Sequence, residues 1–307
     1  MSQFTSSEVI EKLELGESLG NAELSHIDLS HHCLDAGQFT GSYLRSASLA
    51  HVSCRRANFS MANLTLANMV GSCLEFAQLV QTTLVQANLK SAVLTEAIAT
   101  EANFHGASLE GVTATYMSLK QANLSQVNGI NAKLMHINAL AANFSQSIFS
   151  RASFKQAQLI GTYWQEATLM GTSFAAATLE QSVFEKAVLV GANLSEAIAL
   201  NSHFQEADLT GAILQQIQLD WSDCWNAVLV KANLRQASLF GTVLESANLT
   251  DADLTGADLR EANLENAQLD GACLDHCRVQ GALLTDASGL TNAQKTWLRR
   301  NGALNVS

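Results

Sequence analysis

Ala247-Asn248-Leu249-Thr250-Asp251, Ala252-Asp253-Leu254-Thr255-Gly256, Ala257-Asp258-Leu259-Arg260-Glu261 and Ala262-Asn263-Leu264-Glu265-Asn266 are four consecutive pentapeptides in one register. Followed outward, the register holds from Leu24 to Leu284 without an insertion or deletion, giving 53 pentapeptides with an apolar or small residue at each centre. Leu occupies 34 centres and Phe nine, so the centre is a core position; the others are Cys54, Met69, Ala99, Ala114, Gly129, Ala139, Trp164, Ala199, Cys224 and Val279. An α-helix repeats about every 3.6 residues and a pleated strand about every two, so a sustained period of five belongs to neither. It requires a solenoid, in which short extended pieces alternate with turns and each coil buries its inner residues against the next.

These stretches resemble the pentapeptide-repeat family, whose pattern reads A(D/N)LXX, and the resemblance covers most of the chain. It implies an all-β solenoid: a right-handed quadrilateral β-helix with one pentapeptide per side, about twenty residues per coil and about 13 coils. Side chains at the centre and two residues before it would point inward. The implied organisation is an N-terminal capping helix in 1–18, the β-helix in 19–290, and a C-terminal capping helix and tail in 291–307. If coils have about twenty residues, Phe104, Phe144, Trp164, Phe184 and Phe204 share one column and Ala99, Ala139 and Ala199 another. At the ~4.8 Å spacing of paired strands, the coils would make a single rod on the order of 60 Å long. The chain has no proline, which agrees with a backbone whose N–H groups are nearly all needed for coil pairing.

Cys54, Cys224 and Cys277 fall on inward positions, whereas Cys33, Cys73 and Cys273 point outward in one column. Cys33 and Cys73 would be two coils apart, about 10 Å, too far for a disulfide, so reduced thiols in a cytoplasmic protein are expected. The first thirty residues carry Glu8, Glu11, Glu14, Glu17 and Glu23 and no continuous apolar run. Neither a signal peptide nor a transmembrane segment is expected. Thr5-Ser6-Ser7-Glu8 and Thr291-Asn292-Ala293-Gln294 are capping boxes that open short helices at the two ends, the first near residues 6–15. The second would hold Trp297 and Leu298, with Arg299 and Arg300 suited to its dipole and Gly302 as its stop. Two readings of this end stand: a cap on the last coil, or a homodimer interface through Trp297, Leu298 and Leu304, since members of the family often pair through the C-terminal end.

No constellation supports catalysis, which needs polar groups converging in a concave, partly dry site. No enzyme activity, cofactor or metal is expected. His31 and His51 would stack on adjacent coils, but no third ligand accompanies them; His32 takes an inward position and marks a loosened early coil. The glycines at Gly71, Gly111, Gly161, Gly171, Gly191, Gly211, Gly241 and Gly271 share the five-residue phase and belong to corners between walls, not to a phosphate loop.

Function is therefore sought on the outside. One wall carries Ile148, Met170, Val188, Val190, Val228 and Val230, and the opposite wall Leu140, Ile160, Leu200, Trp221 and Phe240, with Trp225 just round the corner. A contiguous apolar strip marks a protein-binding surface, although ladders of Val and Ile also stabilise sheet whatever they touch. Aromatic residues at Trp221 and Phe240 favour binding. The leading expectation is a bacterial, non-catalytic scaffold or adaptor that binds another protein through its walls or ends; some family members are encoded beside secretion machinery as suspected adaptors, so the resemblance implies a secretion-system association as one setting. The alternative is a DNA mimic that binds a type II topoisomerase, as the quinolone-resistance and mycobacterial gyrase-inhibitor types do. The net charge is −11, and residues 241–290 carry Glu245, Asp251, Asp253, Asp258, Glu261, Glu265, Asp270, Asp275 and Asp286 against Arg260 and Arg278. A duplex about 60 Å long carries on the order of 35 charges, about three times as many. The unbroken phase also leaves no room for the projecting loop common in the quinolone-resistance types. Direct nucleic-acid binding and membrane association are not expected, because no basic stripe is visible beyond Arg45, Arg55 and Arg56.

Overall fold

The computed structural model describes residues 2–306. One pentapeptide shows how the backbone is satisfied. In Ala57-Asn58-Phe59-Ser60-Met61, Ala57 N donates to Cys54 O (3.1 Å), closing a β-turn, and Asn58 N donates to Gly37 O (2.8 Å) in the preceding coil. Phe59 N and Met61 N donate to Gln78 O (2.8 Å) and Val80 O (2.9 Å) in the following coil. The remaining donor, Ser60 N, is taken by the Asn58 side chain, Oδ1, at 3.0 Å. All five N–H groups are used, so proline has no free place in such a unit. Residues 252–256 repeat the scheme, with Thr255 N donating to Asp253 Oδ1 at 3.0 Å. Where Asp or Asn precedes the centre, its side chain is thus the clamp of a local turn.

The residues before the centres pair in parallel with residues twenty positions on, as in Asn58↔Gln78 and Asp208↔Val228. Four such bridges, at Glu23, Asp28, Cys33 and Gln38, precede the return to the first site at Tyr43, so a twenty-residue coil contains four pentapeptides. Centres and the residues two before them are buried almost without exception. Phe39 stacks on Phe59 at 4.8 Å, and Trp164, Phe184 and Phe204 stack in succession at 5.8 and 4.8 Å. His32 is exposed instead of inward, its Nδ1 2.9 Å from Ser30 O, because an imidazole has no partner in an apolar coil.

The corners differ from the glycine-based expectation. The second residue after each centre is left-handed throughout, yet most of these positions hold Gln, Glu, Asn, His, Lys or Arg, with φ of 55 at Gln81 and 61 at Trp221. None from residue 21 to 286 is Val, Ile or Thr, the types for which positive φ is hardest.

The chain divides into two compact units, Met1–Ala157 and Gln158–Ser307. In the first, helix α1 (Ser6–Glu14) opens on the Thr5–Glu8 capping box and buries Val9. A Cβ at Gly37 would stand 2.6 Å from Phe39 Cε2 and 2.9 Å from Leu34 O in its own coil, and 3.1 Å from Leu13 Cδ2 of the helix. An apolar cavity of ≈ 10 Å³ lies between Leu94 and Leu134, beside the small centre Ala114. Gly129 leaves no void, because Phe149 Cε1 lies 2.0 Å from where its Cβ would stand. In the second unit a similar cavity, also ≈ 10 Å³, lies beside Cys224, where Cys replaces a larger centre. Helix α2 (Asn292–Arg300) opens on the Thr291–Gln294 capping box and buries Leu298. The tail turns back so that Leu304 bridges Leu283 in parallel, while Arg299 Nη2 donates to Val306 O at 2.8 Å. Ala303 and Val306 are buried there. The tail is therefore part of the cap; of the residues named for dimerisation, Leu298 is buried, Trp297 half-buried and Leu304 outward.

Candidate functional site

Trp221 occupies a left-handed corner of the second unit and is 61% exposed. Exposure does not leave it loose. Its ring lies over the next corner, Gly241, where a Cβ would stand 2.6 Å from Cε3 and Cζ3, and it meets Phe240 edge to face at 5.1 Å and 85°. The Arg260 guanidinium covers Phe240 at 5.4 Å. Arg260 is held in turn by Asp258, Nε donating to Oδ1 at 2.8 Å and Nη2 to Oδ2 at 2.7 Å, while Arg278 reaches the same carboxylate at 3.2 Å. The hydrogen bond from Arg260 holds the Asp258 carboxyl below its ordinary range. Below Phe240, Asp220 Oδ1 accepts from its backbone N–H at 3.1 Å and from the Ser238 hydroxyl. An aromatic pair backed by fixed polar groups has little side-chain entropy left to lose on docking.

Trp225 is 41% exposed, and its backbone N–H donates to Asp223 Oδ1 at 2.9 Å. Leu200 and Ile160, named for the same wall, are half-buried; Leu140 is exposed and belongs to the first unit. The Val strip is narrower than its sequence suggests. Val188 and Val190, and again Val228 and Val230, are half-buried, and the coil between presents Asp208 and Thr210, which hydrogen-bond each other at 2.6 Å. Met170 is exposed in the second unit and Ile148 in the first. Sequence reasoning missed Gly241 as the seat of Trp221 and Arg260 as the cover of Phe240; the twenty-residue column was the available signal for both.

The acidic residues are not uniformly free. Asp253 pairs with Arg235 at 2.9 Å and Asp258 with two arginines, and both also clamp turns. Among the described residues no group of three or more His, Cys, Asp or Glu is arranged to hold a metal. His31 and His51 stack at 5.2 Å and 15°, so their ring faces, not their nitrogens, converge. All six cysteines are free, and burial pushes the Cys224 thiol up to about 12, which leaves it an inert core residue. An open cleft beside α2 is lined by Leu274, Asp275, His276, Ala293, Gln294 and Trp297 and contains no nucleophile paired with a base. Among the described residues no helix is long and apolar enough to cross a membrane.

The sequence model of the family described as pentapeptide repeats matches eight copies in the chain, over residues 38–75, 72–111, 147–185, 187–223, 217–256 and 247–286. Among solved structures, HetL, a pentapeptide repeat protein involved in heterocyst differentiation regulation from a Nostoc cyanobacterium, is 28% identical, with 93% of this chain and 99% of that chain covered and a TM-score of 0.23. Rfr23, a pentapeptide repeat protein from the cyanobacterium Cyanothece, is 33% identical over 33% of this chain and 62% of its own, with a TM-score of 0.22. A trypsin-treated form of QnrB1, a plasmid-mediated fluoroquinolone resistance protein, is 18% identical over 69% of this chain and 97% of its own, with a TM-score of 0.40. No curated protein matches the chain.

Proposed function

The chain belongs to the pentapeptide-repeat family, and on that premise we propose that it is a non-catalytic scaffold that binds another protein through the Trp221–Phe240 corner of its second unit. The observation that carries the reading is the immobilised aromatic pair, exposed and backed by Gly241, Arg260 and Asp258. Large aromatics held rigid at a surface act as anchors, whereas the half-buried valines serve the sheet as well as any partner. Each coil returns to its own wall by a parallel crossover, and such crossovers are right-handed in nearly all proteins; a right-handed, four-sided coil accompanies this reading.

The experiment is affinity capture from the native host with wild type and Trp221→Ala/Phe240→Ala, followed by mass spectrometry. The scaffold reading expects a partner recovered by wild type, lost with the double variant and retained when Asp251, Asp270 and Asp286, which take no part in the aromatic corner, are neutralised. Loss on neutralisation alone would overturn it.

DNA mimicry is a second reading because residues 158–307 carry 17 acids against eight bases. It expects salt-sensitive inhibition or protection of DNA gyrase that survives the aromatic double variant. Asp253 and Asp258 weaken it, since their charge is already matched by arginine.

A further inference from the structure

We propose that the Lys133–Arg151–Lys155 face of the first unit binds a short acidic polypeptide segment. The sequence shows no basic stripe here because its members are up to 22 positions apart, but the coil brings them together. Lys133 pairs in parallel with Ser153, and Arg151 and Lys155 flank that serine two residues to either side. The three cations therefore surround one hydroxyl at strand spacing, about 5 Å from coil to coil. All three are exposed, and none forms an ion pair within the first unit. His136 and Tyr116 stack beside them at 4.7 Å, with His136 N donating to Lys155 O at 3.0 Å. No Asp or Glu occurs between Glu110 and Glu166, in a chain of net charge −11. A cluster of cations with no ion pair inside its own unit, on an acidic protein, is complementary to an anion.

Charge also limits the size of that anion. Glu96 lies one coil before Tyr116 in the same corner column, so the cationic face ends there. A long polyanion would extend beyond the face against the net negative charge, over more than the Debye length of about 8 Å at physiological salt. A peptide of a few carboxylates stays within it, and an extended one matches the strand-spaced ladder in which Thr113, Lys133 and Ser153 pair in parallel.

The test is fluorescence anisotropy with a fluorescein-labelled ten-residue peptide of alternating Glu and Ser, at 50 and 500 mM NaCl. Wild type should bind at low salt and release at high salt. Affinity should fall at least tenfold in Lys133→Glu/Arg151→Glu/Lys155→Glu, and in the milder triple Gln variant, yet stay within twofold in the charge-matched Lys231→Glu/Lys295→Glu/Arg300→Glu. Circular dichroism confirms folding of each variant. Absence of wild-type binding, equal losses in the two Glu triples, or tighter binding of a 30-nucleotide single-stranded DNA than of the peptide would each overturn the proposal. The Trp221 corner takes no part in this binding, so either proposal can fail without the other.

Discussion

Two glycines at identical corners separate the seat of Trp221 from the backbone's own demands. Gly241 and Gly191 have φ of +62 and +64; a Cβ at Gly191 meets nothing within 4 Å, whereas one at Gly241 would stand 2.6 Å from two ring carbons of Trp221. Gly191→Ala should then cost only the left-handed strain of an L-residue, about 1–2 kcal/mol, partly offset by about 0.4–1 kcal/mol from a stiffer unfolded chain. Gly241→Ala carries the same net strain and more. Carbon atoms settle at about 3.5–4.0 Å, so the ring must retreat by about 1 Å. That breaks its edge contact with Phe240, a further ~0.5–1.5 kcal/mol. Urea denaturation of both variants should show the lower midpoint for Gly241→Ala, and near-ultraviolet circular dichroism should lose Trp signal in that variant alone. Partner recovery should fall with it. Equal midpoints with equal aromatic spectra would refute the claim that Gly241 exists to seat Trp221.

Gly129→Ala should be more damaging than either, because its Cβ would overlap the buried Phe149 ring at 2.0 Å; about 1–3 kcal/mol or more, read from the urea midpoint, is expected of such overpacking. Leu234→Asp buries a charge in the dry stack and should unfold its segment, while Val190→Asp, on a half-buried outward site, should leave the melting temperature nearly unchanged. Comparable losses would show the inward assignment to be wrong. Trp297→Ala/Leu298→Ala uncovers the last coil, and light scattering should show aggregation or, if this end joins two copies, conversion of dimer to monomer. Asp258 is depressed in the folded state, so its contribution is present above the ordinary carboxylate range and is lost as pH falls below it. Trp221 fluorescence should accordingly be flat from pH 7 to 5 and change only in stronger acid.

The five-residue period determined the coil, the inward set and the absence of proline, because all three depend on residues within one pentapeptide and its repetition. Capping boxes at Thr5 and Thr291 were equally local, four residues each, and both helices begin where those boxes stand. The left-handed corners were legible too, in the lack of Val, Ile and Thr at every fifth position, although the glycines alone suggested a narrower rule. What lies across coils was decided only by the tertiary structure. Phe149 filling the space of Gly129, Gly241 seating Trp221, Arg260 covering Phe240, and Lys133 pairing with Ser153 between Arg151 and Lys155 all join residues about one coil apart. Chain separation hides such neighbours, and their contacts depend on how far each side chain leans over the adjacent corner, a choice made by packing and charge after the coil has closed.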